Sequence, residues 1–119
     1  MSDLEKVKGE KFIYLTTTGR KTGKPHTVEL WFAVDNDRVF LSHEGAQTDW
    51  MKNFLKNSSV DVKIGNLKLA GKAGITPDRS DSREAGKKAL YEKYYSPASK
   101  AVLDDWFELS KVIEIIPSN

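Results

Sequence analysis

The sequence contains no cysteine and only two histidines among its 119 residues. The lack of cysteine excludes disulfides, thiolate metal sites and a cysteine nucleophile, and two histidines disfavour a histidine-rich metal centre. No apolar run approaches the ~20 residues that a membrane-spanning helix needs. The charged start MSDLEKVKGEK also lacks the apolar segment of a secretory signal. We therefore expect a cytoplasmic protein that has no metal site and no membrane partner.

A strong excess of charge of one sign is also missing. Nineteen basic residues are balanced by seventeen acidic ones, which leaves a net charge of +2. Nucleic-acid-binding domains usually carry a marked basic excess, so the bulk charge predicts no nucleic-acid partner. The length suits one domain over residues 1–119 that is large enough to bury a core.

The order of predicted elements is β-β-β-α-β-β-α-α-β. Runs rich in β-branched and aromatic residues predict six strands, at residues 11–18, 26–34, 38–43, 60–65, 67–76 and 112–117. A period near 3.6 predicts a helix from Asp49, with Trp50 and Phe54 in the core, and helices over residues 80–110 that restart at Ser96. Asp81 and Glu84 have capping-box spacing. These elements predict an α+β fold, a small antiparallel barrel of about six strands with flanking helices.

The stretch TTTGRKTGKP, residues 16–25, combines glycine with positive charge at a predicted strand-to-strand turn. Gly19 and Gly23 allow a positive φ, which brings backbone N–H groups close to an anion. The side chains between and after them suit a phosphate group; they are Arg20, Lys21, Thr22 and Lys24. The spacing differs from that of a P-loop, and a strand follows the turn instead of a helix. A solvated hairpin tip and a phosphate- or nucleic-acid-binding module are the alternatives.

Two motifs carry a resemblance to a known family. The first is TTTGRKTGKPHT before a strand, and the second is DWMKNFLKNSSV, with Trp50, Asn53, Asn57 and Val60 at matching spacing. Together they resemble the deazaflavin-dependent nitroreductase family of the flavin-binding split β-barrel superfamily, to which pyridoxamine-phosphate-oxidase-like proteins are related. The chain departs from the family pattern in having His26 in place of an arginine, Phe54 before Leu55, and Ser58 in place of a proline.

The resemblance implies that the protein binds coenzyme F420, or alternatively FMN. It assigns the phosphate to the turn residues Arg20, Lys21, Thr22, Gly23 and Lys24, and the ring system to Pro25, His26, Thr27, Val28 and Trp31. Trp31 has an alternative role as a core or dimer-interface residue. The implied reaction is hydride transfer to or from a small organic acceptor such as a quinone, an enone or a nitro compound. No catalytic residue is identified, because the cofactor carries the chemistry.

The resemblance also directs attention to a substrate pocket. Its candidate residues are His43, Glu44, Tyr91, Tyr94 and Tyr95, for which surface exposure or helix packing is the alternative. The expected partners are a small-molecule substrate and, by analogy with split barrels, a second copy of the chain. The competing functions are an FMN-binding reductase and a flavin or F420 carrier of the same fold without turnover.

Overall fold

The computed structural model of the protein describes residues 3–44, 48–77, 79–94 and 110–118. The described residues form three helices, which are α1 (Asp3–Val7), α2 (Asp49–Lys56) and α3 (Asp81–Tyr94). They also form seven strands, which are β1 (Ile13–Thr18), β2 (Pro25–Leu30), β3 (Ala33–Asp35), β4 (Arg38–Glu44), β5 (Ser59–Ile64), β6 (Leu67–Ile75) and β7 (Ser110–Pro117).

All seven strands belong to one antiparallel sheet with the order β2-β1-β5-β6-β7-β4-β3. The two strands at the edges, β2 and β3, are separated in the chain only by Trp31 and Phe32. Because its edges are joined by two residues, the sheet must curl until they come close together. The result is an open, split barrel with helices packed on it, which confirms the predicted α+β fold.

The prediction of one continuous strand over residues 26–34 was wrong. β2 pairs with β1, whereas β3 pairs with β4, so the chain changes partners at Trp31 and Phe32. For the same reason the described residues form a sheet of seven strands instead of about six. The alternation hides this break, because Phe32 is fully buried and Val34 packs on the core as a continuous strand would require.

Turn residues shape both tight hairpins. Asn36 and Asp37 adopt φ of 51° and 61° between β3 and β4, as a type I′ turn requires, and Gly65 adopts 58° between β5 and β6. Both turns lie at junctions between predicted strands, those over residues 26–34 and 38–43 and those over residues 60–65 and 67–76. The capping prediction for α3 was wrong by one residue: Ser80 Oγ accepts the N–H of Arg83 at 3.1 Å, so Ser80 is the N-cap. Helix α1 was not predicted.

Two hydrophobic clusters hold the helices on the sheet. The larger cluster fills the curl of the sheet and contains Trp50, Met51 and Phe54 of α2, which confirms the core role predicted for Trp50 and Phe54. The smaller one lies under α3 and consists of Ala33, Phe40, Leu90 and Val112. The helix predicted to restart at Ser96 lies outside the described residues.

Candidate functional site

The basic turn, residues 19–24, joins β1 to β2 and closes on itself through its own backbone. Gly19 N donates to Lys24 O at 2.8 Å, and Gly23 N donates to Gly19 O at 2.8 Å. The backbone N–H of Lys24 reaches Thr22 Oγ1 at 3.3 Å. Several amides are therefore used inside the turn, so cationic side chains are left as its main means of contacting an anion.

The two glycines of the basic turn serve different needs. Gly23 has a φ of 73°, as predicted, whereas the positive φ predicted for Gly19 is not found. A Cβ on Gly19 would lie 2.8 Å from His26 Nε2 and 3.0 Å from Lys24 O. Gly19 is thus required because the His26 ring and the returning strand lie directly against it.

Helix α2 contacts the basic turn mainly through Arg20. Asn53 Oδ1 accepts both the backbone N–H of Arg20, at 3.1 Å, and its Nη1, at 2.9 Å. Asp49 Oδ1 lies 3.2 Å from Arg20 Nη2, and Lys56 Nζ donates to Arg20 O at 3.0 Å. Asp49, Asn53 and Lys56 are four and three residues apart, so they lie on one face of the helix.

A cavity of about 440 Å³ lies between the basic turn, the start of β2 and α2. Its size is within the range of small-molecule sites. It is lined by Gly19, Arg20, Lys21, Thr22, His26, Thr27, Val28, Asp49, Trp50 and Asn53. Most of the residues predicted to contact the cofactor therefore share one cavity, whose wall combines two cations, one carboxylate and the apolar surfaces of Val28 and Trp50.

Strand β2 forms one edge of this cavity and of the sheet. Among the described strands it pairs only with β1, so one edge of its backbone has no neighbouring strand. In an edge strand, alternate N–H and C=O groups point away from the sheet and are available to a ligand. Lys24 and Pro25 are exposed at the start of this edge, next to the cavity.

His43 does not line this cavity but contacts Trp50, which does. It is partly buried on β4, and its ring meets that of Trp50 edge-on with 5.9 Å between centroids. Trp50 in turn lines the cavity and contacts Phe54 at 5.9 Å. His43 is thus connected through the Trp50 ring to the cavity that contains most of the residues predicted to bind the cofactor.

Trp31 and Tyr94 form a separate group at the far end of β2. Their rings are stacked at 4.5 Å with an interplanar angle of 11°, and Trp31 is 46% exposed. Tyr94 Oη accepts the N–H of Phe32 at 3.1 Å, and its proton is within reach of Phe32 O at 2.9 Å and Lys11 O at 3.1 Å. At Phe32, where the chain changes strand partners, the Tyr94 hydroxyl therefore supplies the backbone hydrogen bonds that a neighbouring strand would otherwise make.

Lys93 stands beside this aromatic pair. Its Nζ lies 3.5 Å from the centre of the Phe32 ring and donates to Glu10 O at 2.6 Å. Burial lowers the pKa of Lys93 to about 8, against the opposing effect of the Glu10 charge. Burial likewise raises the pKa of Tyr94, which keeps its hydroxyl protonated at neutral pH.

The other predicted residues have different surroundings. Tyr91 packs on the small cluster under α3. Tyr95 and the side chain of Glu44 lie outside the described part of the chain. A second cavity, of about 570 Å³, lies between α3, β3 and Lys8, and contains none of the predicted residues.

Two residues of the site, Asn53 and Asp49, were missed by sequence reasoning as functional positions. Asn53 belongs to the second motif, but only the fold shows that it contacts Arg20.

Across the described ranges, no three His, Cys, Asp or Glu side chains lie close enough to hold a metal ion, and no helix has the length and apolarity needed to cross a membrane.

Several solved structures have a similar fold. A conserved hypothetical protein, Rv2991, of Mycobacterium tuberculosis matches all of this chain and 82% of its own with a TM-score of 0.75 at 20% identity. The F420-H2 dependent reductase FDR-A matches 88% of this chain and 93% of its own, with a TM-score of 0.68 at 23% identity. A structure described as a domain-swapped dimer matches 88% of this chain and 79% of its own, with a TM-score of 0.72 at 23% identity.

The sequence profile of one family extends across most of the chain. The profile of the F420H(2)-dependent quinone reductases matches residues 4–101, which include the basic turn, β2 and α2. The chain therefore belongs to the F420H(2)-dependent quinone reductase family and is an F420-dependent oxidoreductase.

Proposed function

We propose that the basic turn and β2 together bind the cofactor, and that the enzyme passes hydride between F420 and a small organic acceptor such as a quinone, an enone or a nitro compound. The phosphate-bearing part of F420 is assigned to the basic turn. The ring system is assigned to the edge of β2 from Pro25 toward Trp31. The observation that carries the proposal is the cavity between the basic turn and α2, where a cationic rim adjoins an unpaired strand edge.

The residues present fit a phosphate-bearing planar cofactor. Lys21 is exposed at the cavity rim, and Arg20 places a partly exposed guanidinium in its wall. A guanidinium and an ammonium are the side chains that phosphate groups prefer. Val28 and Trp50 supply apolar wall beside them, and the free edge of β2 supplies backbone groups for ring heteroatoms. His26, in place of the arginine of the family pattern, packs on Gly19 within the same wall.

Bound F420 supplies the hydride chemistry, and the protein contributes position and surroundings. Lys21, Thr22 and Lys24 hold the anionic end, while the edge of β2 orients the ring. Trp50 and Val28 exclude water from the apolar side of the cavity. β2 spans the distance from the basic turn to Trp31 in six residues, about 20 Å. The assigned contacts therefore form a line along one strand, with the anion at its start and aromatic surface at its end.

The acceptor side is assigned to Trp31, at the end of this line, and to His43 on β4. Trp31, stacked on Tyr94 and half exposed, presents a flat aromatic surface that suits a planar quinone or nitroaromatic compound. His43, on β4, contacts Trp50 of the cavity wall edge-on. We assign acceptor selectivity to these two positions.

We also propose that the protein acts as a homodimer, with residues 1–119 as one cofactor-binding domain. The similarity to a domain-swapped dimer supports the dimer, as does the exposure of Tyr14 on β1. Light scattering after gel filtration measures the mass directly. A mass of 13.4 kDa, that of one chain, would contradict the dimer.

A titration followed by ring fluorescence tests the proposed site. Wild-type protein is titrated with F420 and with FMN, and F420 is expected to bind more tightly. Lys21→Ala should weaken F420 binding by about tenfold, because a phosphate loses one charge-assisted partner. Lys52→Ala, which removes an exposed lysine on α2 outside the cavity, is the matched control and should bind as wild type does.

Two outcomes would overturn this assignment. One is equal F420 affinity in Lys21→Ala and Lys52→Ala, and the other is tighter binding of FMN than of F420. The acceptor is tested by stopped-flow oxidation of the reduced complex with a quinone, an enone and a nitroaromatic compound. Oxidation no faster than that of free reduced F420 by all three would remove these acceptor classes from the proposal.

A further inference from the structure

Arg20, one of the residues assigned to the phosphate, is already bound to α2. Four hydrogen bonds join it to that helix: Arg20 donates two to Asn53 Oδ1 and one to Asp49 Oδ1, and its carbonyl accepts one from Lys56 Nζ. Its side chain is 24% exposed, far less than expected for an arginine at a hairpin tip. The helix therefore decides where this guanidinium stands before any ligand arrives.

Asn53 is the residue that fixes the arginine most firmly. It is 3% exposed, and its amide oxygen accepts from both the backbone and the side chain of Arg20. Its Nδ2 donates to Thr17 Oγ1 at 3.2 Å. The amide nitrogen therefore faces Thr17, and the amide oxygen faces Arg20. A buried amide with both ends engaged has one orientation, so it sets the backbone and the guanidinium of Arg20 together.

Asp49 holds Arg20 in a different way. Its carboxylate is 85% exposed, lies in the cavity wall, and contacts only the outer nitrogen, Nη2, at 3.2 Å. An exposed ion pair of this kind contributes little to stability and exchanges readily. A carboxylate oxygen at this position has the charge and the hydrogen-bonding role of a phosphate oxygen.

We infer that α2 prepares Arg20 for the cofactor: Asn53 is a positioning residue that fixes the arginine, and Asp49 occupies its outer nitrogen until an anionic oxygen of the ligand replaces it. The inference rests on the proposed function of the basic turn. It explains how a turn whose amides are partly used internally still presents an oriented donor to an anion. It also gives the second sequence motif a role in binding through Asn53.

The first test compares two asparagines of one helix. Asn53→Ala should weaken F420 binding by about tenfold and increase hydrogen–deuterium exchange of residues 19–24 in the free protein, because the turn loses its anchor. Asn57→Ala is the matched control, since Asn57 is exposed at the end of α2 and bonds Ser59 instead of Arg20. Asn53→Asp keeps the acceptor oxygen and should keep the protection of residues 19–24.

The second test uses a change that a purely structural role cannot produce. Asp49→Asn should bind F420 about threefold more tightly, because the competing charge is gone while Asn53 still orients Arg20. This substitution is at an exposed side chain, so it decides the question even if Asn53→Ala fails to fold. Affinity that is unchanged or weaker in Asp49→Asn overturns the inference, as does wild-type affinity in Asn53→Ala.

The Lys21→Ala variant separates this inference from the proposal on which it rests. If Lys21→Ala binds F420 weakly but Asn53→Ala binds it as wild type does, the role inferred for α2 is wrong and the cofactor site proposed at the basic turn stands. If Lys21→Ala binds F420 as wild type does, the basic turn is not the cofactor site and both proposals fall.

Discussion

The two ends of strand β2 use similar side chains in opposite ways. At its start, the basic turn presents the exposed Lys21 at a cavity, and α2 holds the turn mainly through Arg20. At its end, Tyr94 and Lys93 turn their polar atoms inward, onto the backbone of Phe32, Lys11 and Glu10. We call these the open end and the closed end of β2.

The difference follows from what each end must satisfy. At the closed end the chain leaves β1 and joins β4. The backbone of Phe32 therefore needs a partner that none of the described strands supplies, and Tyr94 provides it. At the open end the turn satisfies its own backbone, which leaves Lys21 and the edge of β2 available to a ligand. Substitutions that remove the Tyr94 or Lys93 contacts at the closed end should therefore change stability, whereas substitution of Lys21 at the open end should weaken cofactor binding.

Gly86 offers the largest expected effect, because it sets how closely α3, which carries Tyr94 to the closed end, packs on β4 and β7. A Cβ there would lie 2.6 Å from Val112 Cγ1 and 2.7 Å from Phe40 Cδ1. Gly86→Ala should lower the free energy of unfolding by about 2 kcal/mol, even after the gain in helix propensity. Urea denaturation measures the change. Gly74→Ala, with no atom within 4 Å of its Cβ, is the control, and an equal loss there would contradict the packing argument.

Tyr94→Phe tests the hydroxyl that replaces a strand. The substitution leaves the N–H of Phe32 without its partner, so the free energy of unfolding should fall by about 1.5 kcal/mol. Tyr14→Phe is the matched control. The Tyr14 hydroxyl bonds Glu29 at an exposed position, which raises its pKa but contributes little to stability. Thermal unfolding of both variants measures the difference, and equal melting temperatures would show that Tyr94 is not the needed partner.

Much of the fold was predictable because local pattern and tertiary structure agree. The strands over residues 60–65 and 67–76 and the turn at Gly65 were found within a residue of their observed bounds. The break at Trp31 and Phe32 was not, because side-chain alternation reports which face is buried and says nothing about which strand is the neighbour. Seven strands instead of about six follow from that one break.

The site was predictable as a motif but not as a set of contacts. The basic turn has a glycine and charge pattern that points to an anion, and most of its residues do line one cavity. Asn53 meets Arg20 across 33 residues, and Tyr94 meets Phe32 across 62, distances at which a single sequence carries no pairing signal. Trp31 was assigned to the cofactor ring, and only the fold shows that it stacks on Tyr94 at the far end of β2.

Lys93 should give the closed end a pH-dependent stability. Burial lowers its pKa from 10.5 to about 8, so between these values the unfolded chain binds the proton more often than the folded protein does. Stability from this group therefore rises with pH through that window and is constant below it. Because the side chain is only partly buried, the rise should be only about 1 kcal/mol.

The variant Lys93→Met isolates this contribution. Chemical denaturation at pH 7 and at pH 10.5 gives the rise in unfolding free energy for each protein, and the rise should be about 1 kcal/mol larger in the wild type. Groups elsewhere titrate in both proteins, so they cancel in the difference. An equal rise in the two proteins, or a smaller one in the wild type, would mean that Lys93 has an ordinary pKa.

Lys21→Ala should have the smallest effect on stability and thereby sharpen the contrast between the ends. Lys21 is exposed, so its loss should change the free energy of unfolding by less than about 0.5 kcal/mol. Arg20→Ala, by contrast, removes two side-chain bonds to α2 and should cost about 1 kcal/mol. Parallel urea denaturation and F420 titration give stability and affinity for each variant. If the open end serves binding, Lys21→Ala should lose affinity for F420 at unchanged stability. A loss of stability larger than that of Arg20→Ala would mean that Lys21 stabilises the fold, and the two ends of β2 would then not differ in the way proposed.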